Sequence, residues 1–368
     1  MSVFVRREAR AKPGFAMGIL LGRKEVKGDI GLEIEVEGTR FPKPPGSEGT
    51  HHAVSMPGLK YWSYVHDGSL RGDDNAEYLL TKPIAFSEVP EAVNLLFEKL
   101  AANKATFDDS NRTSVHVHLN AQQFHLNRLT SFLALWFCCE EILTAYCGEH
   151  RVGNLFCLRA VDAPAIITQL KKFIQADGKK PLSEHLHYAG LNAHALMKYG
   201  SLEVRMLRGC SDPSIIIEWA AILERLYTFS AEFPDPRDIC GMFSSDGPLS
   251  FYNQVLGDKA TPLREAIGWT EDQIRDSMYV GVRMAQDLCY CRDWDIFNPI
   301  ELKPDPFGRE LKKVVKQMEL NAELAALTSA VDNIAGSVDT EEDWIPDDEE
   351  MENMMPQTQP VTPFINNF

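Results

Sequence analysis

The chain has 368 residues, of which 44% are hydrophobic and 24% charged, a composition typical of a globular protein with one large domain or two ordinary ones. Its formal net charge is −16, but nine acidic residues lie between Asp339 and Glu352, so the rest of the chain carries only −7. This distribution argues against a duplex-DNA-binding protein, which normally presents a basic face.

The eight cysteines include no CxxC pair, and several lie in apolar stretches such as LALWFCCEEILTAYC. This placement is typical of free, buried thiols in a reducing compartment. No uninterrupted apolar run approaches the roughly 20 residues of a membrane helix. We therefore expect a cytoplasmic protein that binds neither a membrane nor nucleic acid.

The first predicted element is a strand over 29–37, where apolar and polar residues alternate strictly. A loop rich in Pro and Gly follows over 39–58. Two more strands are predicted in KYWSYVHDGSL, which ends in a turn at Asp67-Gly68, and in AEYLLTKPI. Ser87 then predicts the N-cap of a helix over 88–103.

Alternation returns in RTSVHVHLN (112–120), and a long apolar helix is predicted after it at about 123–147. The segment 189–209 predicts either two strands or a helix–strand pair broken at Gly200. Asp212 followed by a proline is typical of a helix start. Further helices are predicted at 164–176, 271–288 and 309–333.

The order of elements favours an α+β fold, with an antiparallel sheet that packs one face on helices and leaves the other open. We predict a catalytic domain over 1–235, a mainly helical extension over 236–335 and an acidic, flexible tail over 336–368. The tail is either a solvated segment or a binding site for a partner.

Polar side chains recur on one face of the predicted strands, because strand side chains alternate with a period of two. Each set alone is typical of a solvated surface, but their combination in one domain indicates a divalent-metal site. Clustered carboxylates repel one another and a cation relieves that repulsion; carboxylates suit Mg²⁺, and imidazole leaves room for Mn²⁺. The sets are Glu33, Glu35 and Glu37; Glu77; His116 and His118; and Glu203 and Arg205.

Four arginines occur near these segments, and guanidinium groups bind phosphate and carboxylate through paired hydrogen bonds. No GxxxxGK[ST] motif is present, which excludes a P-loop nucleotide site. Metals together with arginines therefore predict nucleotide phosphates held mainly by cations. The arginines are Arg71, Arg159, Arg205 and Arg208.

GLEIEVEG, WSYVHDGSL…AEYLLTKPI, SVHVHLN and YAGLNAHALMKYGSLEVRMLRG resemble, in this order, motifs of the amidoligases. These carboxylate–amine ligases are frequent in bacteriophages and belong to the glutamine synthetase and γ-glutamylcysteine synthetase superfamily. The resemblance covers about 28–232. It implies a curved antiparallel sheet whose concave face is the active site. It also implies that ATP phosphorylates a carboxylate and that an amine then attacks the acyl phosphate.

The resemblance also implies roles for individual residues. The metal ligands would be Glu33, Glu35, Glu77, His116 and Glu203. His118 would lie near the nucleotide phosphates or the substrate, and Arg205 would hold the substrate carboxylate or its acyl phosphate. Weaker candidates for phosphate or substrate contact are Arg159, Arg208, Asn192 and Asp67, of which Asp67 fits a turn-anchoring role better.

The substrate is expected to be an amino acid, a peptide or a protein. Alternatives are a phosphagen-type kinase on the same fold, a phage interaction or structural protein that retains a ligase-like scaffold, and a metal hydrolase using His116 and His118. Whether Glu37 binds metal or faces solvent stays open. We interpret a second His-x-His pair, His185 and His187, as structural.

Overall fold

The computed structural model describes residues 15–47, 50, 52–72 and 74–294. Within these ranges the chain forms nine strands and ten α-helices. The strands are β1 (Ile30–Val36), β2 (Gly38–Thr39), β3 (Val54–Ser55), β4 (Trp62–Val65), β5 (Ala76–Leu80), β6 (Thr106–Phe107), β7 (Ser114–Asn120), β8 (Leu191–Asn192) and β9 (Ser201–Arg208). The helices are α1 (Met17–Leu20), α2 (Val89–Ala102), α3 (Leu126–Cys147), α4 (Ala165–Gln175), α5 (Ala195–Lys198), α6 (Pro213–Phe229), α7 (Arg237–Asp246), α8 (Pro248–Leu256), α9 (Ala260–Ile267) and α10 (Glu271–Cys289).

Seven strands form one open sheet in the order β3-β4-β5-β1-β7-β9-β8, and neighbouring strands in this sheet run antiparallel. Strands β2 and β6 pair separately as a short ribbon. The mixture of helices with an antiparallel sheet confirms the predicted α+β class in general terms.

The central strands form because their apolar residues recur every second position and share one buried face. In β1 this face carries Leu32 and Ile34, and in β7 it carries Val115 and Val117, all with no exposed surface. Helices α3 and α6 contact strands β9 and β7, and α2 packs on α6. The sheet therefore has a helical layer behind it, which leaves the alternate side chains of β1, β7 and β9 for the opposite face.

Helix α3 is the core helix of the fold. It has 22 residues and is apolar enough to cross a membrane by length and composition alone. However, 83% of its most apolar window is buried inside the fold, so its length and composition are weak evidence for a membrane span. Helix α10 lies along α3 at Gly281, where an added Cβ would approach the Phe137 carbonyl oxygen to 2.3 Å.

The positions of most predicted elements are confirmed, with differences at their ends. Ser87 does not cap α2, because a 3₁₀ turn over Phe86–Glu88 precedes the helix and places Glu88 at its N-cap. The Asp212 carboxylate accepts a hydrogen bond from Ser214 N at 2.9 Å, as its predicted capping role requires. Segment 189–209 forms the short strand β8, a helical turn and strand β9.

Helices α7, α8 and α9 were not individually predicted, since none exceeds ten residues. The helix predicted at 309–333 and the acidic tail lie outside the described residues. The domain boundaries stay predictions.

Glu140 makes α3 sensitive to pH. Its carboxylate is buried and accepts hydrogen bonds from Ala160 N at 2.9 Å and Trp136 Nε1 at 3.3 Å. Burial raises the pKa of Glu140 to about 8, against an ordinary value of 4.5. The folded state therefore retains a proton that the unfolded chain loses, so stability falls as pH rises from about 5 to about 8.

We expect Glu140→Gln to remove this pH dependence, because the amide does not titrate and its oxygen can still accept one of the two hydrogen bonds. Relative to wild type, the variant should gain unfolding free energy on the order of 4 kcal/mol between pH 5 and pH 8.5. Urea denaturation of both proteins across this range measures the difference. Parallel pH profiles for the two proteins would contradict the expectation.

Candidate functional site

The register of the central strands brings the predicted polar residues onto one face. Glu33 of β1 lies opposite His116 of β7, and Glu35 lies opposite Glu77 of β5. On the other side of β7, His118 lies opposite Glu203 of β9. Cross-strand partners lie about 5 Å apart, so residues distant in sequence become neighbours here.

Glu33, His118 and Glu203 form a group that could hold a metal ion, and His116 Nδ1 also lies 3.6 Å from Glu203 Oε1. One potential ligand atom from each side chain lies within 4.8 Å of the other two. Glu33 Oε1 is 3.2 Å from His118 Nε2, and His118 Nδ1 is 3.0 Å from Ser201 Oγ. Ser201 thus fixes the orientation of the His118 ring.

His116 and Glu35 form a second part of the site. His116 Nδ1 lies 3.0 Å from Glu33 Oε2, and His116 Nε2 lies 2.8 Å from Ser114 Oγ. Glu35 Oε2 accepts hydrogen bonds from Ser114 N at 2.7 Å and from Ser114 Oγ at 2.6 Å. Ser114 therefore links the Glu35 carboxylate to the His116 ring.

Arg205 closes the site on the β9 side. Its Nη1 donates to Glu203 Oε1, and Asn192 Nδ2 donates to Glu203 Oε2 at 2.6 Å. The pairing of β9 with β7 shifts by one residue between Val115 and Val117, within the stretch that carries Arg205. Such bulges commonly re-aim a side chain beside an active site.

The charges on this face compensate one another. Burial by itself would raise the pKa of Glu33, but the charge of His118 and the hydrogen bonds of both histidines hold it well below its ordinary value. At Glu203 burial by itself would also raise the pKa, but the charges of Arg205 and the two histidines lower it below its ordinary value. The charge of Glu33 raises the pKa of His118 against the opposing effect of burial. Glu33 and Glu203 therefore remain carboxylates at neutral pH.

Glu77 lies in a different electrostatic environment from Glu33. Burial, together with the charges of Glu33, Glu35 and Asp67, raises the pKa of Glu77 well above its ordinary value. Asp67 accepts hydrogen bonds from Ser69 N at 2.7 Å and Ser69 Oγ at 2.9 Å. Asp67 therefore anchors its turn and also contributes negative charge near Glu77.

Glu37, the last of the three alternating glutamates, bonds to the backbone of a loop. Glu37 follows the end of β1, is buried, and accepts a hydrogen bond from Arg71 N at 2.6 Å. Its carboxylate holds the loop that follows the Asp67 turn.

The predicted phosphate contacts Arg159 and Arg208 are not brought to this cluster. Arg159 donates to Glu141 at 2.7 Å and to Asp162 at 2.8 Å. Arg208 is exposed at the end of β9 and runs past Gly148, where an added Cβ would lie 3.3 Å from its Cδ. Their assignment to the nucleotide stays a prediction.

The second His-x-His pair lies in the 3₁₀ turn Glu184–Tyr188. His187 Nδ1 is 2.6 Å from the carbonyl oxygen of Glu184. Burial lowers the pKa of His187, and the charge of Arg205 acts in the same direction. The contact between His187 and Glu184 therefore lies within the turn itself. His187 is nevertheless close enough to the site for the charge of Arg205 to affect its pKa.

Sequence reasoning missed Ser114, Ser201 and Tyr199. Ser114 and Ser201 sit two residues before His116 and Glu203, so the period of two could have placed both on the polar face. The Tyr199 ring meets the His118 ring edge-on at a centroid distance of 5.7 Å, a contact that no sequence pattern indicated.

A cleft of about 810 Å³ opens beside Glu33 at the start of β1. Its walls include Tyr199 and Gln122, and its charged residues are mostly basic. Such a surface attracts anions even in a protein of negative net charge. The charged residues are Arg23, Lys24, Lys27, Lys82 and Lys198, with Glu25, Glu33 and Glu88.

An antiparallel sheet that gathers carboxylates, imidazoles and a guanidinium on one face, beside a basic cleft, is typical of an enzyme acting on anionic substrates. The model of a family described as "putative amidoligase enzyme" matches residues 28–222, more than half of the chain. The chain belongs to this amidoligase family, which indicates an enzyme with ligase activity. All the clustered site residues lie inside the matched span. No curated protein matches the chain.

Proposed function

We propose that the protein is an ATP- and divalent-metal-dependent ligase that joins a carboxylate to an amine through an acyl phosphate. The observation that carries the proposal is the convergence of Glu33, His118 and Glu203, with Arg205 bonded to Glu203, on one sheet face of an amidoligase-family chain. The substrate is an amino acid or a peptide.

The donor set fits Mg²⁺ or Mn²⁺. A cation about 2 to 2.5 Å from each ligand atom brings those atoms within about 5 Å of one another, as they are in this group. Glu33, His118 and Glu203 would hold the ion, and Glu35 would extend the site. When bound, the ion offsets negative charge on phosphate oxygens. Ser201 and Asn192 keep the ligands His118 and Glu203 oriented.

The basic cleft is the part of the molecule best suited to the nucleotide. Glu33 forms part of its wall, so phosphates lying among Lys27, Lys82 and Lys198 would end at the carboxylate–imidazole group. Phosphoryl transfer depends mainly on positioning and charge neutralisation, which this arrangement supplies.

Arg205 is suited to the carboxylate substrate. Its guanidinium would bind the carboxylate oxygens while one of them attacks the γ-phosphorus and ADP leaves. The amine nitrogen then attacks the acyl carbon, inorganic phosphate leaves, and a carboxylate on the same face accepts the proton of the ammonium.

Trapping with hydroxylamine tests the proposal without knowledge of the natural amine. Wild-type protein with ATP, Mg²⁺, hydroxylamine and a panel of amino acids and peptides should form acyl hydroxamates together with ADP and phosphate. A stable phosphorylated product without hydroxamate would favour a kinase. Absence of both products and of ATP binding would favour an interaction protein.

The cleft lysines provide a separate prediction. Combined Lys27→Ala and Lys82→Ala substitutions should raise the KM for ATP about 30-fold, because each exposed cation contributes on the order of 1 kcal/mol to phosphate binding. The kcat should change little, since neither lysine belongs to the carboxylate–imidazole group. Lys172→Ala on α4 is the matched control for loss of an exposed lysine. An unchanged KM in the double variant would place the nucleotide elsewhere.

A further inference from the structure

Three apolar residues protrude from the loop that follows α3. Val152, Leu155 and Phe156 are 54%, 72% and 55% exposed and lie within five residues of chain. Single exposed apolar residues are ordinary on protein surfaces, whereas several in one short stretch indicate a contact surface. We call these three residues the apolar tip.

The base of this loop is firmly held. Arg151 is 3% exposed and donates from Nη2 to the carbonyl oxygen of Thr113 at 2.9 Å. After the tip, Cys157 is fully buried, and Leu158 N donates to the carbonyl oxygen of Tyr188 at 2.7 Å. Because both ends are anchored in the core, the fold itself holds the apolar tip outward.

The apolar tip is continuous with the candidate site. The Phe156 carbonyl oxygen accepts a hydrogen bond from Arg205 Nε at 3.4 Å. Gly190 joins the same two segments, since its N donates to Leu158 O at 2.8 Å and its carbonyl oxygen accepts from Arg205 N at 2.9 Å. The apolar tip therefore begins next to the guanidinium that would bind the substrate carboxylate.

We propose that the apolar tip binds the side chains of a peptide whose C-terminal residues are apolar and whose terminal carboxylate is held by Arg205. This inference rests on the proposed ligase function and specifies its substrate class. An extended peptide advances about 3.3 Å per residue, so two successive residues can reach from Arg205 across Leu155 and Phe156. A single free amino acid would cover less of the tip.

The test compares acetylated dipeptides ending in Leu or Phe with those ending in Ser or Asn, and with free Leu, in the hydroxamate assay. Peptides ending in Leu or Phe should have a kcat/KM about tenfold or more above that of the polar peptides, the discrimination that apolar contacts usually provide. Combined Leu155→Ser and Phe156→Ser substitutions should remove this preference. The KM for ATP and the rate with polar peptides should stay unchanged.

Tyr290→Ser is the matched control, because Tyr290 is 57% exposed but lies at the end of α10. Equal use of polar and apolar peptides, or an equal loss for both in the double variant, would overturn the role of the tip and leave the ligase proposal standing. Free Leu used as well as the peptides would overturn the peptide requirement.

Absence of hydroxamate from every acid would instead overturn the ligase proposal. Fluorescence anisotropy of labelled peptides then tests the tip independently of activity. Tighter binding of the Leu peptide than of the Ser peptide, lost in the double variant, would support an apolar peptide site. Equal binding of both peptides would overturn it.

Discussion

Replacing Glu33 by Gln is expected to lower ATP-dependent hydroxamate formation by a factor on the order of 10²–10³. Gln preserves the size of the side chain but removes the negative charge that faces both His116 and His118. With that charge absent, the group of Glu33, His118 and Glu203 attracts a divalent cation less strongly. Calorimetric titration with Mn²⁺ should show weaker binding in the same variant, and circular dichroism should show an unchanged fold.

Glu37→Gln is the matched control for this experiment. It changes the same residue type two residues after Glu35, yet the Glu37 carboxylate accepts a hydrogen bond from Arg71 N and belongs to the loop contact. An amide oxygen can still accept that hydrogen bond, so activity and Mn²⁺ affinity should stay near wild type. Equal loss in both variants would mean that the three glutamates act together. No loss in Glu33→Gln would remove Glu33 from the site.

The second large effect is expected at Arg205. Arg205→Gln should lower kcat/KM for the carboxylate substrate by about 10²- to 10³-fold, because the variant loses the positive charge that would bind the substrate carboxylate. In the structure this guanidinium is held on the polar face by its ion pair with Glu203. Arg205→Lys should recover only part of the loss, since an ammonium group lacks the two-pronged geometry of a guanidinium. Steady-state kinetics with each substrate varied in turn measures both variants.

The distribution of the loss between substrates identifies the role of Arg205. Binding of the carboxylate predicts a reduced kcat/KM for that substrate with a KM for ATP within about threefold of wild type. Arg264→Gln is the control for an arginine that pairs with an exposed carboxylate, Glu271, away from the sheet. A selective rise in the KM for ATP would instead assign Arg205 to the nucleotide.

The central strands could be predicted because alternation is a local property of the chain. GLEIEVE and SVHVHLN place their apolar residues on a buried face and their Glu and His residues on the other, whatever the strand order. Helices α2, α3, α4, α6 and α10 were equally visible from apolar spacing and, for α6, from Asp212 and Pro213. The short helices between 237 and 267 were harder to predict, because segments of eight to ten residues carry weak periodicity.

The contacts of His116 and His118 with individual carboxylates could not be predicted from the sequence. The resemblance assigned the metal to His116, and the phosphates or the substrate to His118, and the structure places both rings beside Glu33 and close to Glu203. His116 also contacts Ser114 Oγ, and its Nδ1 lies 3.0 Å from Glu33 Oε2 and 3.6 Å from Glu203 Oε1. Sequence alone placed both rings on the same face. Which ring meets which carboxylate depends on the pairing of β7 with β1 and β9, and on the one-residue shift near Arg205.

By itself, the sequence determined which side chains belong to the polar face, because the strand period of two separates them from the core. Tertiary structure decided which of these side chains meet, because register and strand order bring Glu33, His118 and Glu203 together across three strands. It also assigned Glu37 to the loop at Arg71, Arg159 to an ion pair with Glu141 and Asp162, and the lysines to one cleft. Such contacts join distant parts of the chain, and no local pattern records them.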